Sequence, residues 1–282
     1  MKFLRDSFLL VIVLFFGNVA QSQVYNQSTS SVTTCTGTYY DAGGSAGNYG
    51  NNENTTMTFT SSTGDRLSFA FSFLNIETCC DRLYIYDGPT TAYPVIGVYT
   101  ANPGTIVSSG TSLTFRFTSD VSGTGTGWAA NISCTTPPLT AYPLTSGTVT
   151  ACSGVIYDNG GPAANYSDGA NITQTFTSGT SDFLQFSFLP YGYAFGSADT
   201  LFIYDGATTS APLIAAHCTG SEMETFTSTG NSVTLRFKSN ASGNSVGWAG
   251  SFQCTATPGA PASFNMSGGI RGVCSGSFYD VG

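Results

Sequence analysis

The chain has 282 residues, a formal charge of -8 at neutral pH and only 9% charged residues. Eight Lys and Arg against sixteen acids leave no basic surface able to neutralise phosphates, so nucleic acid is not expected as a partner. Thirty-four Gly, 21 Phe and 15 Tyr with a single His point to an all-β protein without a His-rich metal or catalytic cluster.

Lys2 and Arg5 precede an apolar run from Phe8 to Phe16, and Ala20-Gln21-Ser22 follows with small residues where a signal peptidase reads. Residues 1–22 therefore read as a signal peptide, with Gln23 as the mature start. The run is about half the ~20 residues that a membrane-spanning helix needs. No stretch after it is apolar enough to cross a membrane, so the protein is expected to be secreted or displayed at the cell surface. Eight cysteines in an exported chain read as disulfide partners.

One opening phrase is written three times: CTGTYYDAGG from Cys35, CSGVIYDNGG from Cys152 and CSGSFYDVG from Cys274. The first two copies run for about 100 residues to GWAANISC at Cys134 and GWAGSFQC at Cys254. The expected plan is thus module 1 at 35–134, a linker at 135–151, module 2 at 152–254, a linker at 255–273 and the start of a third module at 274–282. Pro137, Pro138, Pro143, Pro258 and Pro261 make the linkers read as semi-rigid spacers between modules that each hold their own core.

Within module 1, Leu67, Phe69, Phe71 and Phe73 alternate with other residues, and Leu113, Phe115 and Phe117 do the same. Leu184, Phe186 and Phe188, then Val233, Leu235 and Phe237, repeat the pattern in module 2. A period of two buries one face of a strand and leaves the other wet. Gly43-Gly44, Asp87-Gly88, Gly160-Gly161 and Asp205-Gly206 supply the turns. The expected fold is a tandem of jelly-roll β-sandwiches with two antiparallel sheets each.

Cys35 with Cys134, and Cys152 with Cys254, would tie the first strand of each module to its last. Each such link, closing a loop of ~100 residues, stabilises by about 4–5 kcal/mol in the chain-entropy account.

DRLYIYDG (Asp81 to Gly88), DTLFIYDG (Asp199 to Gly206) and LTFRFTSD (Leu113 to Asp120) followed by GWAANISC resemble the signatures of CUB domains. The resemblance spans nearly all of both modules and the third opening. It implies a jelly-roll sandwich, an extracellular setting, and recognition of a protein or glycan ligand. The chain departs from many animal members in the first loop, where only Asn48-Tyr49 and Asn165-Tyr166 remain, and looks more like the CUB-like modules of secreted microbial multidomain proteins. The resemblance also pairs a cysteine before the Asp81-type position with one at the Cys218-type position. Here Cys79 and Cys80 lie in module 1 and Cys218 in module 2, so a vicinal Cys79–Cys80 bond, a bridge between modules and free thiols all stay open. Of the two bonded options, only the vicinal one avoids docking across a proline-rich linker.

In calcium-binding members, a Glu, the Asp before the central strand and the Asp of a Ser-Asp pair share the ion. Carried over, these are Glu77, Asp81 and Asp120, although Glu77 sits only four residues before Asp81. Module 2 keeps Asp199 but has Asn240 for Asp120 and the aromatic stretch Tyr191 to Phe195 near the Glu77 position. Calcium is therefore expected in module 1 only. Tyr191, Tyr193 and Phe195 could form an aromatic platform for a sugar ring or a protein, or could close the end of the core. His217 has no partner serine motif, and no catalytic residues are assigned. The expected function is a non-catalytic binding or adhesion protein; the alternatives are an accessory region of a secreted protease or polysaccharide hydrolase, and a spacer.

Overall fold

The computed structural model describes residues 23–188, 194–196, 198–217 and 225–259, and contains no helix among them. Residues 1–22, Tyr191, Tyr193, Cys218 and the third opening phrase lie outside the described residues. No described helix is long and apolar enough to cross a membrane.

Module 1 comprises β1 (Val24–Asn26), β2 (Ser30–Thr33), β3 (Thr36–Tyr40), β4 (Asn54–Thr60), β5 (Leu67–Asn75), β6 (Arg82–Tyr86), β7 (Val95–Tyr99), β8 (Thr105–Val107), β9 (Ser112–Thr118) and β10 (Gly127–Cys134). Module 2 repeats the series as β11 (Ala141–Pro143), β12 (Gly147–Thr150), β13 (Ser153–Tyr157), β14 (Asn171–Thr177), β15 (Phe183–Phe188), β16 (Thr200–Tyr204), β17 (Leu213–His217), β18 (Thr225–Thr227), β19 (Ser232–Lys238) and β20 (Ala249–Thr255). Each module is a sandwich of two five-stranded sheets. Their orders are β1-β3-β10-β5-β8 and β2-β4-β9-β6-β7, then β11-β13-β20-β15-β18 and β12-β14-β19-β16-β17. The ladders are antiparallel, except that the first strand of every sheet lies parallel to its neighbour.

Those parallel edge strands revise the linker reading. β11 and β12 fall inside 135–151, yet they pair into the two sheets of module 2. β1 and β2 hold the same places before Cys35. The segment escaped the alternation test because its strands are three or four residues long and paired on one side only. Pro143 is tolerated there because an edge strand has no second partner awaiting its N–H. Between the modules, the Leu139 N–H bonds the Ser109 carbonyl at 2.9 Å while its side chain packs on Val155, Tyr157 and Ala249. The connection is thus anchored on both sides rather than a bare spacer.

The alternating residues build the cores. Phe59, Phe69, Leu113, Phe115 and Phe117 are fully buried in module 1, as are Phe176, Leu184, Phe186, Val233, Leu235 and Phe237 in module 2. The Phe115 ring lies 4.7 Å from Phe69 and 4.9 Å from Tyr39, so the first core is a mesh of tilted and edge-on aromatic contacts. Phe73 breaks the expected pattern and is 41% exposed. The ladder between β5 and β10 slips at Ala129/Ala130, where Phe71 and Phe73 oppose consecutive residues and Ser72 is left over. This bulge exchanges the faces, so Leu74 and Ile76 enter the core in place of Phe73.

The repeated opening and closing phrases meet at one buried carboxylate. Asp41 accepts the Gly43 N–H at 2.7 Å and the Trp128 N–H at 3.3 Å, and Asp158 does the same with Gly160 and Trp248. A Cβ on Gly127 would fall 1.9 Å from the Asp41 carboxylate, which accounts for glycine before each tryptophan. Disulfides join Cys35 to Cys134 and Cys152 to Cys254 across the ends of each sandwich, and a third joins Cys79 to Cys80.

Replacing Phe115 by Ala is expected to destabilise module 1 by about 3–5 kcal/mol, whereas Phe73→Ala should cost less than about 1 kcal/mol. Urea denaturation of the intact chain measures both. Equal losses would contradict the face exchange at Ser72.

Candidate metal centre

Three connections meet at one end of module 1. The first follows β3 and runs through Tyr49 and Glu53. The second is the turn between β5 and β6, from Glu77 to Asp81. The third follows β9 and runs from Asp120 towards β10. Asp81 lies at their junction and is wholly buried.

A carboxylate in that position needs partners, because an unpaired charge taken out of water is expensive. The Tyr49 hydroxyl donates to Asp81 Oδ2 at 2.5 Å, and the Asp120 N–H donates to Oδ1 at 3.1 Å. Tyr49 is itself buried, with its ring 4.9 Å from Phe117. Burial, and then the bond to Asp81, push its pKa up to about 12, so it holds its proton at any physiological pH. Its oxygen also accepts the Glu77 N–H at 2.9 Å. One phenol therefore ties the start of the Glu77–Asp81 turn to the end of it.

The turn is closed by the Asp81 N–H to the Glu77 carbonyl at 3.3 Å. Arg82 caps it from outside, donating to the carbonyls of Thr78, Cys79 and Asp81. The third loop is held by the Asn52 N–H on the Asp120 carbonyl at 2.6 Å and by the Ser122 N–H on Asp120 Oδ1 at 2.9 Å. Gly123 adopts φ +85°, and a Cβ there would lie 2.6 Å from Glu77 Oε1. Only glycine lets this loop close over the Glu77 carboxylate.

The outcome is that Glu77, Asp81 and Asp120 each present an oxygen within 4.8 Å of the others. Glu77 lies only four residues before Asp81, and the closed turn brings its carboxylate into the cluster. Two carboxylates this close repel by about 3 kcal/mol at an effective dielectric constant near 20, a cost that a bound dication would remove. Glu77 Oε2 is buried with no hydrogen-bond partner. Three hard anionic oxygens, one of them unsatisfied, fit a cation that takes six to eight oxygen ligands, with carbonyls and water completing the shell.

Module 2 keeps the frame and loses the charge. Tyr166 donates to the buried Asp199 at 2.5 Å, and the Asn240 N–H donates to its other oxygen at 2.7 Å. The Tyr166 oxygen accepts from the Gly196 N–H at 2.6 Å. Gly196 therefore stands where Glu77 stands in module 1, just past the aromatic stretch rather than within it. With Asn240 for Asp120, a single carboxylate remains. Phe195 is half-buried, packed on the second core with its ring 6.3 Å from Phe237. His217 ends β17 with its ring 6.2 Å from Phe188.

Sequence reasoning missed Tyr49, Gly123 and Glu53 as parts of this end. The repeated Asn-Tyr pair was the available signal for Tyr49. Glu53, whose counterpart is Ala170, accepts the Gly50 N–H at 2.5 Å and has its other oxygen buried without a partner. Burial raises its pKa, with the charges of Asp41 and Asp81 adding to the effect.

The family model for the CUB domain matches residues 27–132 and 146–252. Among curated proteins, the chain is 29% identical to rat cubilin over 272 residues, covering 87% of this chain and 7% of that protein. It is 30% identical to human cubilin over 230 residues, covering 76% and 6%. The chain thus spans less than a tenth of the length of these relatives. Among solved structures, it is similar to the CUB1-EGF-CUB2 domain of human MASP-1/3, at 16% identity and a TM-score of 0.32, covering 78% of this chain and all of that one. It is also similar to the MASP-1 CUB2 domain bound to Ca2+, at 23% identity and a TM-score of 0.33, covering 38% and 99%. Two repeats matched to the family model over most of their length place the chain in the CUB domain family.

Proposed function

We propose that the two modules form a secreted or cell-surface binding protein whose loops recognise a protein or glycan ligand, and that calcium stiffens the loop end of module 1. The observation that carries this reading is the meeting of Glu77, Asp81 and Asp120 from two separate connections. Bound calcium would supply two positive charges to a cluster that otherwise repels itself. Asp81 is pre-positioned by Tyr49, so the ion draws in the more exposed arms. Glu77 brings the turn after β5, and Asp120 brings the loop after β9. Fixing those arms lowers the entropy that the loops would otherwise lose when a partner docks. Module 2 holds Asp199 by hydrogen bonds alone and does the same work without an ion, presenting a different loop set.

Calorimetry of the intact chain should detect one calcium site, and melting should rise with calcium by several degrees once the ion exceeds its dissociation constant about a hundredfold. No heat at millimolar calcium would refute the reading. Asp120→Asn should weaken binding at least about tenfold, because one of three charges is lost while the backbone N–H to Asp81 stays. Asn240→Asp alone should not create a second site, since Gly196 still supplies no carboxylate. A second site in that variant would show that Glu77 is dispensable.

A further inference from the structure

The Cys79–Cys80 disulfide lies wholly inside the turn whose two ends are Glu77 and Asp81. Both cysteines are exposed to solvent. Their sulfurs and a Glu77 carboxylate oxygen lie within 4.8 Å of one another, so the bond packs beside one arm of the cluster. A bond between neighbouring cysteines closes a small ring with the peptide that joins them, and the backbone of neither residue can then vary freely. Arg82 holds the Thr78 and Cys79 carbonyls on the outer side of the same turn.

Module 2 offers an internal comparison. Its corresponding turn closes from the Asp199 N–H to the Gly196 carbonyl, three residues apart, where module 1 spans four. In the sequence, Ser197 and Ala198 replace the cysteines. The longer turn, the cysteine pair and the extra carboxylates therefore occur together in one module and are missing together from the other. A longer turn is looser and would let Glu77 swing out into water, away from two like charges. The disulfide restores the stiffness that the added residue removes.

We infer that the Cys79–Cys80 disulfide is a redox lock on the calcium site of module 1. Oxidised, the turn keeps Glu77 against Asp81 and Asp120. An external dithiol opens it: one thiolate attacks a cysteine sulfur to give a mixed disulfide, and the second thiol displaces the protein. The products are two cysteine thiols and the oxidised reagent, with two electrons and two protons delivered to the protein. The freed backbone must then be ordered again on each binding event, which weakens calcium binding about tenfold. This inference rests on the calcium reading above.

The test is calcium calorimetry on the intact chain in four forms. These are the oxidised protein, protein reduced with dithiothreitol until peptide mapping shows only Cys79–Cys80 open, Cys79→Ser/Cys80→Ser, and Asp120→Asn. The lock predicts one site in the oxidised form, a dissociation constant about tenfold higher in the reduced and double-serine forms, and a loss in Asp120→Asn with its disulfide intact. Equal affinity in the oxidised, reduced and double-serine forms overturns the lock and leaves the calcium site standing. Binding confined to the reduced form overturns it as well. No binding in any form removes the calcium reading and the lock together. If the double-serine variant does not fold, the reduced native chain carries the comparison.

Discussion

A carboxylate buried at the end of each sandwich, gripped by a tyrosine hydroxyl and a backbone N–H, is the constraint on which the loop architecture depends. Asp81 and Asp199 are both fully buried, and each has one oxygen on a tyrosine and one on the first residue after the Ser that ends the β9 or β19 connection. Leaving such a charge unpaired would cost several kcal/mol, so three connections must arrive together for the module to close. The tyrosine can act this way because burial keeps it protonated: Tyr49 and Tyr166 are both pushed up to about 12. The same oxygen receives an N–H from the turn after β5 or β15, which fixes where the neighbouring side chain points.

That shared frame explains how two similar modules diverge without losing their fold. The frame needs one acid, one tyrosine and backbone groups, and so the remaining positions are free to vary. In module 1 the neighbouring positions carry Glu77, Asp120 and Glu53, and the loop end becomes an anionic cluster. In module 2 they carry Gly196, Asn240 and Ala170, and of these counterpart positions only Asp199 keeps its carboxylate. Gly123 and Gly243 share a left-handed backbone at φ +85°, but only at Gly123 would a Cβ meet a carboxylate. The vicinal disulfide belongs to the same specialisation, in a turn lengthened by one residue.

Much of this was legible in the residues. Period-two alternation located the central strands and their inner faces, because a half-buried strand imposes that pattern directly. It failed at Phe73, where a bulge at Ser72 exchanges the faces, since a bulge has no marker when serine occupies it. It also failed at Ala141–Pro143 and Gly147–Thr150, which are too short to show a period and contain a proline that only an edge position accommodates. For the site, Asp81 and Asp120 were visible through the family signatures. Glu77 was doubtful by spacing alone, because the distance between two side chains depends on the closure of the turn and on Tyr49, neither of which a linear count contains. Glu53 left no pattern at all; its placement follows from the loop after β3 folding back on Ser119.

Crystals of the intact chain soaked in a terbium salt, with anomalous scattering used to find the ion, put the central idea to the most direct trial. The account predicts one strong peak bounded by the carboxylates of Glu77, Asp81 and Asp120, and none beside Asp199. An empty map between those three groups, or peaks of equal height in both modules, would contradict it.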